Sequence, residues 1–239
     1  MNTNKDSILT KSFNSVRPIY NISPFTLLDF PDTVACILWF AGCNMRCGYC
    51  YNPEIVEGKG RVSYEEALSF LDKRKNLLDG VVFSGGECTL HQGLPWLASQ
   101  VKRKGMKVKI DTNGSRPFVL QNLIAERLVD YLALDFKSLP ENFQSVTKSN
   151  LFAAFEESLE LLVYSKVPFE VRTTLHSHLF TPKDITEMVK FLKASGYQGN
   201  YYLQHFVGNT KTLEELPPSE KRKIEKDYSV PGIKVIWRK

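Results

Sequence analysis

Residues 33–50 read Thr-Val-Ala-Cys-Ile-Leu-Trp-Phe-Ala-Gly-Cys-Asn-Met-Arg-Cys-Gly-Tyr-Cys, an apolar run of strand length that passes directly into three thiols spaced C-x3-C-x2-C. Short spacings of this kind let one loop carry several thiolates to one metal centre, and Gly42 and Gly48 supply the backbone freedom that wrapping needs. Three ligands are offered where a closed zinc tetrahedron needs four, and no second Cys pair exists to complete it. A cubane iron–sulfur cluster with one iron left open fits the ligand count better. Two blander readings stand beside this one. Positions 43, 47 and 50 share a helix face, where they could be small apolar residues, but the two glycines and Asn44 disfavour a helix there. Zinc completed by a distant His is the other, and the ligand count weighs against it.

Outward from this stretch, 239 residues at 43% hydrophobic and 24% charged are ordinary globular material with enough chain to bury a full core. A single domain over 1–239 is expected, its core at about 20–210. The remainder, 211–239, reads as a charged, Pro-containing surface helix at 211–227 and a short strand at 233–237. Residues 1–11 are polar without the apolar stretch of a leader, and the longest apolar run, about 34–42, is too short to span a bilayer. The expectation is a soluble cytoplasmic protein with no membrane partner. Five cysteines, an odd number with three clustered, argue for metal chemistry in a reducing compartment and against a disulfide framework. Net charge is +5, with Lys and Arg scattered. Runs such as Lys102-Arg103-Lys104 and Lys221-Arg222-Lys223 read as solvated helix faces, so nucleic acid is not an expected partner.

Along the chain, strand and helix patterns alternate. After the thiol loop, Ser63-Tyr64-Glu65-Glu66 reads as a capping box opening a helix to about residue 78. Strands are expected at 80–83, 107–110, 131–136, 168–174 and 200–206, and helices at 95–104, 119–128, 151–164 and 182–194. Six strand–helix alternations imply a parallel sheet, and six fall short of an eight-unit barrel. The expected fold is therefore α/β, an incomplete, open (β/α)6 barrel.

The unusual residues fall at one kind of place. The thiol loop, Gly85-Gly86-Glu87, Asp111-Thr112-Asn113-Gly114, Asp135 with Lys137, Arg172 and His205 all sit on or near the C-terminal ends of different expected strands. That edge is where parallel α/β folds bind ligands. Taken singly, a Gly-Gly after a strand or an Asp-Thr-Asn-Gly is as readily a plain turn. Together they can be given roles. An amino-acid moiety on an open iron needs an acceptor for its ammonium and a donor or cation for its carboxylate. Gly85 and Gly86 permit close backbone approach, Glu87 can accept from the ammonium, and Arg172 or Lys137 can answer the carboxylate. His205 can bond a ribose hydroxyl or that carboxylate, or serve as a satisfied structural group.

Cys43 to Cys50 followed by Tyr51-Asn52-Pro53-Glu54, with Gly-Gly-Glu, Asp-Thr-Asn-Gly and Asp-x-Lys after successive strands, resembles the radical S-adenosylmethionine (SAM) superfamily. Within it the chain resembles the activating proteins of glycyl-radical enzymes, in particular those of anaerobic ribonucleoside-triphosphate reductase. The resemblance implies a partial TIM barrel and a [4Fe-4S] cluster on Cys43, Cys47 and Cys50 whose open iron takes the amino and carboxylate groups of SAM. It implies Gly85, Gly86 and Glu87 on the methionine ammonium, Tyr49 near the adenine, and Asp111, Thr112, Asn113 and Asp135 near the SAM carboxylate, with a monovalent cation allowed among them. Lys137, Arg172 and His205 would complete the polar shell. The implied activity is reductive cleavage of SAM to form a glycyl radical on a partner enzyme. No further ferredoxin-like Cys set is present, so an external low-potential donor such as flavodoxin or ferredoxin is implied.

Two positions depart from the pattern: Tyr51 stands where His is common, and Cys88 stands where Pro commonly follows Gly-Gly-Glu. The second leaves open a redox or additional-ligand role. Other functions also stay open. One is a radical SAM enzyme acting on a small molecule or modified nucleotide, which would share every cofactor motif. The other is a non-catalytic metal-binding module, which would not need the converging polar shell.

Overall fold

The computed structural model describes residues 16–208 and 210–238, so the polar start at 1–11 lies outside it. In chain order the elements are β1 (Ile19–Thr26), β2 (Ala35–Phe40), α1 (Pro53–Glu57), α2 (Tyr64–Asp72), β3 (Gly80–Gly85), α3 (Leu94–Arg103), β4 (Lys107–Thr112), α4 (Pro117–Ala125), β5 (Tyr131–Asp135), α5 (Pro140–Thr147), α6 (Phe152–Tyr164), β6 (Phe169–Leu175), α7 (Pro182–Ala194), β7 (Gly199–His205) and β8 (Ile233–Arg238), with 3-10 turns at Cys88–Leu90 and Lys221–Lys223. The strands follow one another in the order β1 to β8 without closure. β1 runs antiparallel to β2, whereas β2 with β3, β3 with β4, β5 with β6, β6 with β7 and β7 with β8 are parallel. The expected class, an open and mostly parallel α/β sheet, is the one found. It carries an antiparallel strand that the sequence pattern does not announce. β1 contains Pro24 and has register shifts on both sides, which suits an outermost strand.

By their internal contacts the residues fall into two compact units. The first holds the described residues up to Cys43 with Glu54–Asp111 and Asn122–Tyr131; the second holds Asn44–Pro53, Thr112–Gln121 and the chain from Leu132 on.

In the first unit, β2 is buried everywhere except Trp39, as a strand covered on both faces must be. Phe30, Ala35, Ile37 and Val82 form a core cluster against which Trp39 and Tyr131 pack. The capping box closes in both directions: Ser63 Oγ accepts from the Glu66 nitrogen at 3.1 Å, and Glu66 Oε2 accepts from the Ser63 nitrogen at 2.7 Å. The helix it opens stops at Asp72, six residues short of the expected end at 78. After Leu71 no side chain is buried until Leu78, so the apolar face that would hold a longer helix is missing.

In the second unit, Phe136 stacks on Phe155 at 4.9 Å and packs against Phe191 at 5.4 Å, joining β5, α6 and α7. Thr181 and Asp184 form a second capping box at the start of α7. Glu170, 2% exposed, is held by Arg238 through two bonds of 3.0 and 2.8 Å, which ties β6 to the last strand. The surface helix expected at 211–227 is not formed; the 3-10 turn at Lys221–Lys223 is the helical piece there. Pro217 and Pro218 cannot continue a helix, and the Leu213 and Glu214 nitrogens are spent on carbonyls of Cys50 and Gly48. Among the described residues no helix is long and apolar enough to cross a membrane.

Candidate functional site

The thiol loop starts where β2 ends, and in the first unit its root is built from backbone. Gly42 sits at φ +84° with nothing within 4 Å of where a Cβ would stand, so the left-handed backbone is itself what requires glycine. Its nitrogen donates to the Ile55 carbonyl at 2.8 Å, and its carbonyl accepts from the Glu87 nitrogen at 2.9 Å. A Cβ on Gly86 would lie 1.9 Å from the Gly42 oxygen and 3.3 Å from the Cys43 Cβ, and one on Gly85 would lie 2.3 Å from the Phe40 oxygen. The Gly-Gly pair is thus demanded first by contact between the end of β3 and the base of the thiol loop.

Glu87 is 1% exposed and caps the turn that follows it: Oε1 accepts from the Thr89 nitrogen at 3.1 Å and from its hydroxyl at 2.6 Å. Cys88 is fully buried, and its sulfur donates to the carbonyls of Phe83 at 3.7 Å and Asp111 at 3.5 Å. Burial, then the neighbouring Glu87 and Asp111 charges, hold its thiol well above the ordinary range. Cys88 is therefore packed as a buried thiol between two backbone carbonyls. Cys36, inside β2, is likewise pushed up by burial, to about 12. Asp111 accepts from Lys109 Nζ at 2.5 Å on one oxygen and from the Ser84 hydroxyl at 3.1 Å on the other. Lys109, 1% exposed, escaped the reading of the sequence. The signal was there, because a Lys two residues before an Asp on a strand shares its face.

In the second unit the loop carries Cys47, buried, and Cys50, half-buried, joined by a tight turn in which the Cys50 nitrogen donates to the Cys47 carbonyl at 2.9 Å. Three backbone bonds fix it from outside: Glu214 to the Gly48 carbonyl at 3.0 Å, Leu213 to that of Cys50 at 3.2 Å, and Arg46 to that of Thr147 at 2.8 Å. Gly48 is not among the positive-φ glycines, which corrects its expected role as a source of backbone freedom. Its need is space, since a Cβ there would meet Glu214 Oε2 at 2.5 Å. Asn113 supports the same loop through Asn44: its Nδ2 donates to Asn44 Oδ1 at 3.0 Å, Asn44 Nδ2 donates to the Ser115 hydroxyl at 2.8 Å, and the Ser115 nitrogen returns to Asn113 Oδ1 at 3.0 Å. Thr112, 2% exposed, accepts from the Gly114 nitrogen at 3.1 Å. Ser115 and this use of Asn44 were not foreseen, since the ring closes over residues about seventy apart in sequence.

Around the loop stands a charged group. Tyr49 is 3% exposed, and its buried hydroxyl interacts with the Cys47 thiol without reaching ordinary hydrogen-bond geometry. Burial, then the Cys47 charge, hold that hydroxyl well above its usual range. Burial also raises the Cys47 thiol, while Lys137 pulls it down. Asp135 takes Lys137 Nζ at 3.1 Å on one oxygen, and Arg172 Nε at 3.0 Å with its terminal nitrogen at 2.9 Å on the other. Burial alone would raise the Asp135 carboxyl, but Arg172 and Lys137 overcome it and hold the group at about 2. Asp135 and Arg172 are register partners across β5 and β6, so the sheet itself sets their approach. His205 ends β7, stacked on Trp237 at 4.5 Å and 18°. Its Nε2 lies 3.3 Å from the Glu225 carboxylate, yet neither ring nitrogen has a partner in hydrogen-bond geometry. Burial lowers the proton affinity of the ring, against the pull of Glu225.

Three cysteines in one loop offer one thiolate each to three irons of a four-iron cluster, whereas a closed zinc tetrahedron needs a fourth protein ligand.

Comparison with known proteins agrees. Residues 37–193 match the family model of the radical SAM superfamily. A putative glycyl-radical enzyme activating enzyme of Methanocaldococcus jannaschii is 31% identical over 73% of this chain and 75% of its own length. A pyruvate formate-lyase-activating enzyme of Clostridium pasteurianum is 35% identical over 91% of each. In fold, the chain is similar to Streptococcus suis SuiB bound to S-adenosylmethionine, with a TM-score of 0.60 at 15% identity; the match covers 90% of this chain and spans about half, 48%, of that structure. With the thiol loop, its glycine-packed root and the strand-end charges in place, the chain belongs to the radical SAM superfamily, whose members bind a [4Fe-4S] cluster and SAM, and groups there with the glycyl-radical enzyme activating enzymes.

Proposed function

We propose that this protein generates a glycyl radical on a partner enzyme, anaerobic ribonucleoside-triphosphate reductase, with the cluster on Cys43, Cys47 and Cys50. The observation that carries the reading is the thiol loop itself: three cysteines on a non-helical turn, fixed by backbone bonds from both ends and flanked by a polar shell. Bound there, cluster and SAM would supply one-electron reductive cleavage, drawing the electron from an external donor and a hydrogen atom from a glycine of the partner.

The chain's own residues would bind and orient. Gly85, Gly86 and the buried Glu87 face the methionine ammonium, and Asp111, Thr112, Asn113 and Asp135 with Lys137 and Arg172 order the carboxylate side. Tyr49 offers its buried hydroxyl to the adenosine, and His205, whose Nδ1 has no hydrogen-bond partner and whose Nε2 faces Glu225, bonds a ribose hydroxyl or the carboxylate. The electron that reductive cleavage consumes comes from an external low-potential donor of the flavodoxin or ferredoxin class. A flexible glycine-bearing loop is the substrate element, since an extended backbone can lie along strand ends.

Electron paramagnetic resonance of the reduced protein with SAM and the reductase tests this. The expected result is a stable doublet that loses its splitting when the partner's glycine is α-deuterated, with deoxyadenosine formed in stoichiometric amount. Turnover of a purine or other metabolite without any partner would overturn it in favour of a small-molecule radical SAM enzyme.

A further inference from the structure

We propose that Lys109 is a built-in counter-cation that positions Asp111, so that this chain needs no alkali-metal ion at that carboxylate. The resemblance carried by the sequence allows a monovalent cation around Asp111, Thr112 and Asp135, and the residues present do not fit one. Lys109 lies in the middle of β4 between Val108 and Ile110, both 0% exposed, and its own side chain is 2% exposed. A lysine is retained at such a place only when its charge is answered. The answer is Asp111, two residues on along the same strand face, whose Oδ1 accepts from Nζ at 2.5 Å while Oδ2 accepts from Ser84 at 3.1 Å. The ammonium thus supplies the unit positive charge that an alkali ion would bring. It adds directional N–H bonds that fix the rotamer of Asp111. A metal cation placed beside it would set two like charges in one buried volume, which disfavours both.

The other oxygens such an ion would draw on already carry hydrogen bonds or cations. Thr112 Oγ1 accepts from the Gly114 nitrogen at 3.1 Å. In the second unit Asp135 already has two cations of its own, Lys137 and Arg172. Each carboxylate is therefore answered within its own unit by side chains.

The test compares potassium, sodium and choline chlorides at equal ionic strength, reading the unfolding midpoint of the purified protein and the SAM affinity of the anaerobically reconstituted one. The affinity arm rests on the proposed SAM site; the unfolding arm does not. Wild type is expected to give the same midpoint and affinity in all three salts. Lys109→Met should unfold earlier in choline and bind SAM at least about tenfold more weakly there, recovering in potassium or sodium, because removing one partner of a buried pair leaves the other uncompensated. Lys109→Arg should stay indifferent to the salt. A wild-type midpoint that rises specifically with potassium or sodium overturns the proposal, as does a Lys109→Met protein that matches wild type in choline or is damaged without recovery. If Lys109→Met does not fold, the wild-type salt comparison decides alone. If no form binds SAM, the site reading fails while the unfolding comparison still judges Lys109.

Discussion

The backbone nitrogen of Glu87 donates to the carbonyl of Gly42 at 2.9 Å, so the end of β3 is bonded to the residue that immediately precedes the first thiol of the loop. Two motifs more than forty residues apart are therefore one structural feature, and a change in either is felt in the other.

Substitution of the thiols separates ligands from packing residues. Anaerobically reconstituted protein is expected to hold about four irons per chain, and Cys43→Ala, Cys47→Ala and Cys50→Ala should each lose the cluster's visible absorbance. Cys36→Ala and Cys88→Ala should keep it. Cys36 is buried inside β2, away from the loop in sequence, and the buried Cys88 sulfur is already bonded to two carbonyls. Iron content and absorbance of the five variants measure this; cluster loss in Cys88→Ala alongside retention in Cys50→Ala would reassign the ligands.

Three glycines of the site should respond differently because each is required for a different reason. Gly86→Ala drives a Cβ to 1.9 Å from the Gly42 oxygen, a backbone atom that cannot step aside, and should cost on the order of 1–3 kcal/mol together with cluster yield. Gly42→Ala has open space but must hold φ +84°, a cost of about 1–2 kcal/mol. Gly48→Ala meets the Glu214 side chain, most closely its carboxylate, which can swing away, while the Glu214 Cβ at 3.3 Å needs only a small shift. What is lost is the half-exposed Lys148–Glu214 pair at 3.2 Å, worth about 0–1 kcal/mol. Urea unfolding of the three variants should rank Gly48→Ala as the mildest, and a Gly86→Ala protein as stable as wild type would contradict the packing of β3 on the loop.

These glycines also mark where the sequence was legible and where it was not. The thiol spacing, the Ser63 capping box and the strand ends are local patterns, so the α/β class could be read directly and the candidate positions could be named from them. Gly48 could not be assigned its reason, because Glu214 approaches it from far along the chain. The stretch around Glu214 looked like a charged surface helix by composition. It is irregular because its nitrogens bond to the thiol loop and Pro217-Pro218 follow. Asp111 was legible at its strand end, but its partner Lys109 was not: the two share a strand face by spacing, yet that this face is buried is decided by packing that no single strand encodes.

Asp135 should make stability depend on acid. Its carboxyl is held at about 2, below the 3.8 of an ordinary aspartate. A depressed folded-state value means that the unfolded chain takes up the proton first, so the contribution is whole above pH 3.8 and is lost as pH falls towards 2. Its size is about 2 kcal/mol. Asp135→Asn should lose this part of the acid dependence and be destabilised near neutrality by about 3–5 kcal/mol, because Lys137 and Arg172 are left facing one another. Urea midpoints from pH 2 to 7 for both proteins check it; parallel curves would mean that the pair contributes no differential proton affinity.

Glu87 combines a structural and a proposed binding role, and two variants separate them. As a cap it accepts from the Thr89 nitrogen and hydroxyl at 3.1 and 2.6 Å through one oxygen. A glutamine keeps an oxygen in that place, whereas alanine removes it and should cost about 0.5–2 kcal/mol. As the acceptor for the SAM ammonium it would need its negative charge, which both variants lack. Glu87→Gln is therefore expected to unfold within error of wild type while binding SAM at least about tenfold more weakly, the loss that follows when a buried charge loses its partner. Glu87→Ala should show the same loss in affinity plus the lost cap. Anaerobic SAM titration beside thermal unfolding makes the distinction. Equal SAM affinity in Glu87→Gln and wild type would leave the carboxylate as a turn cap and move ammonium recognition to the backbone carbonyls at the end of β3.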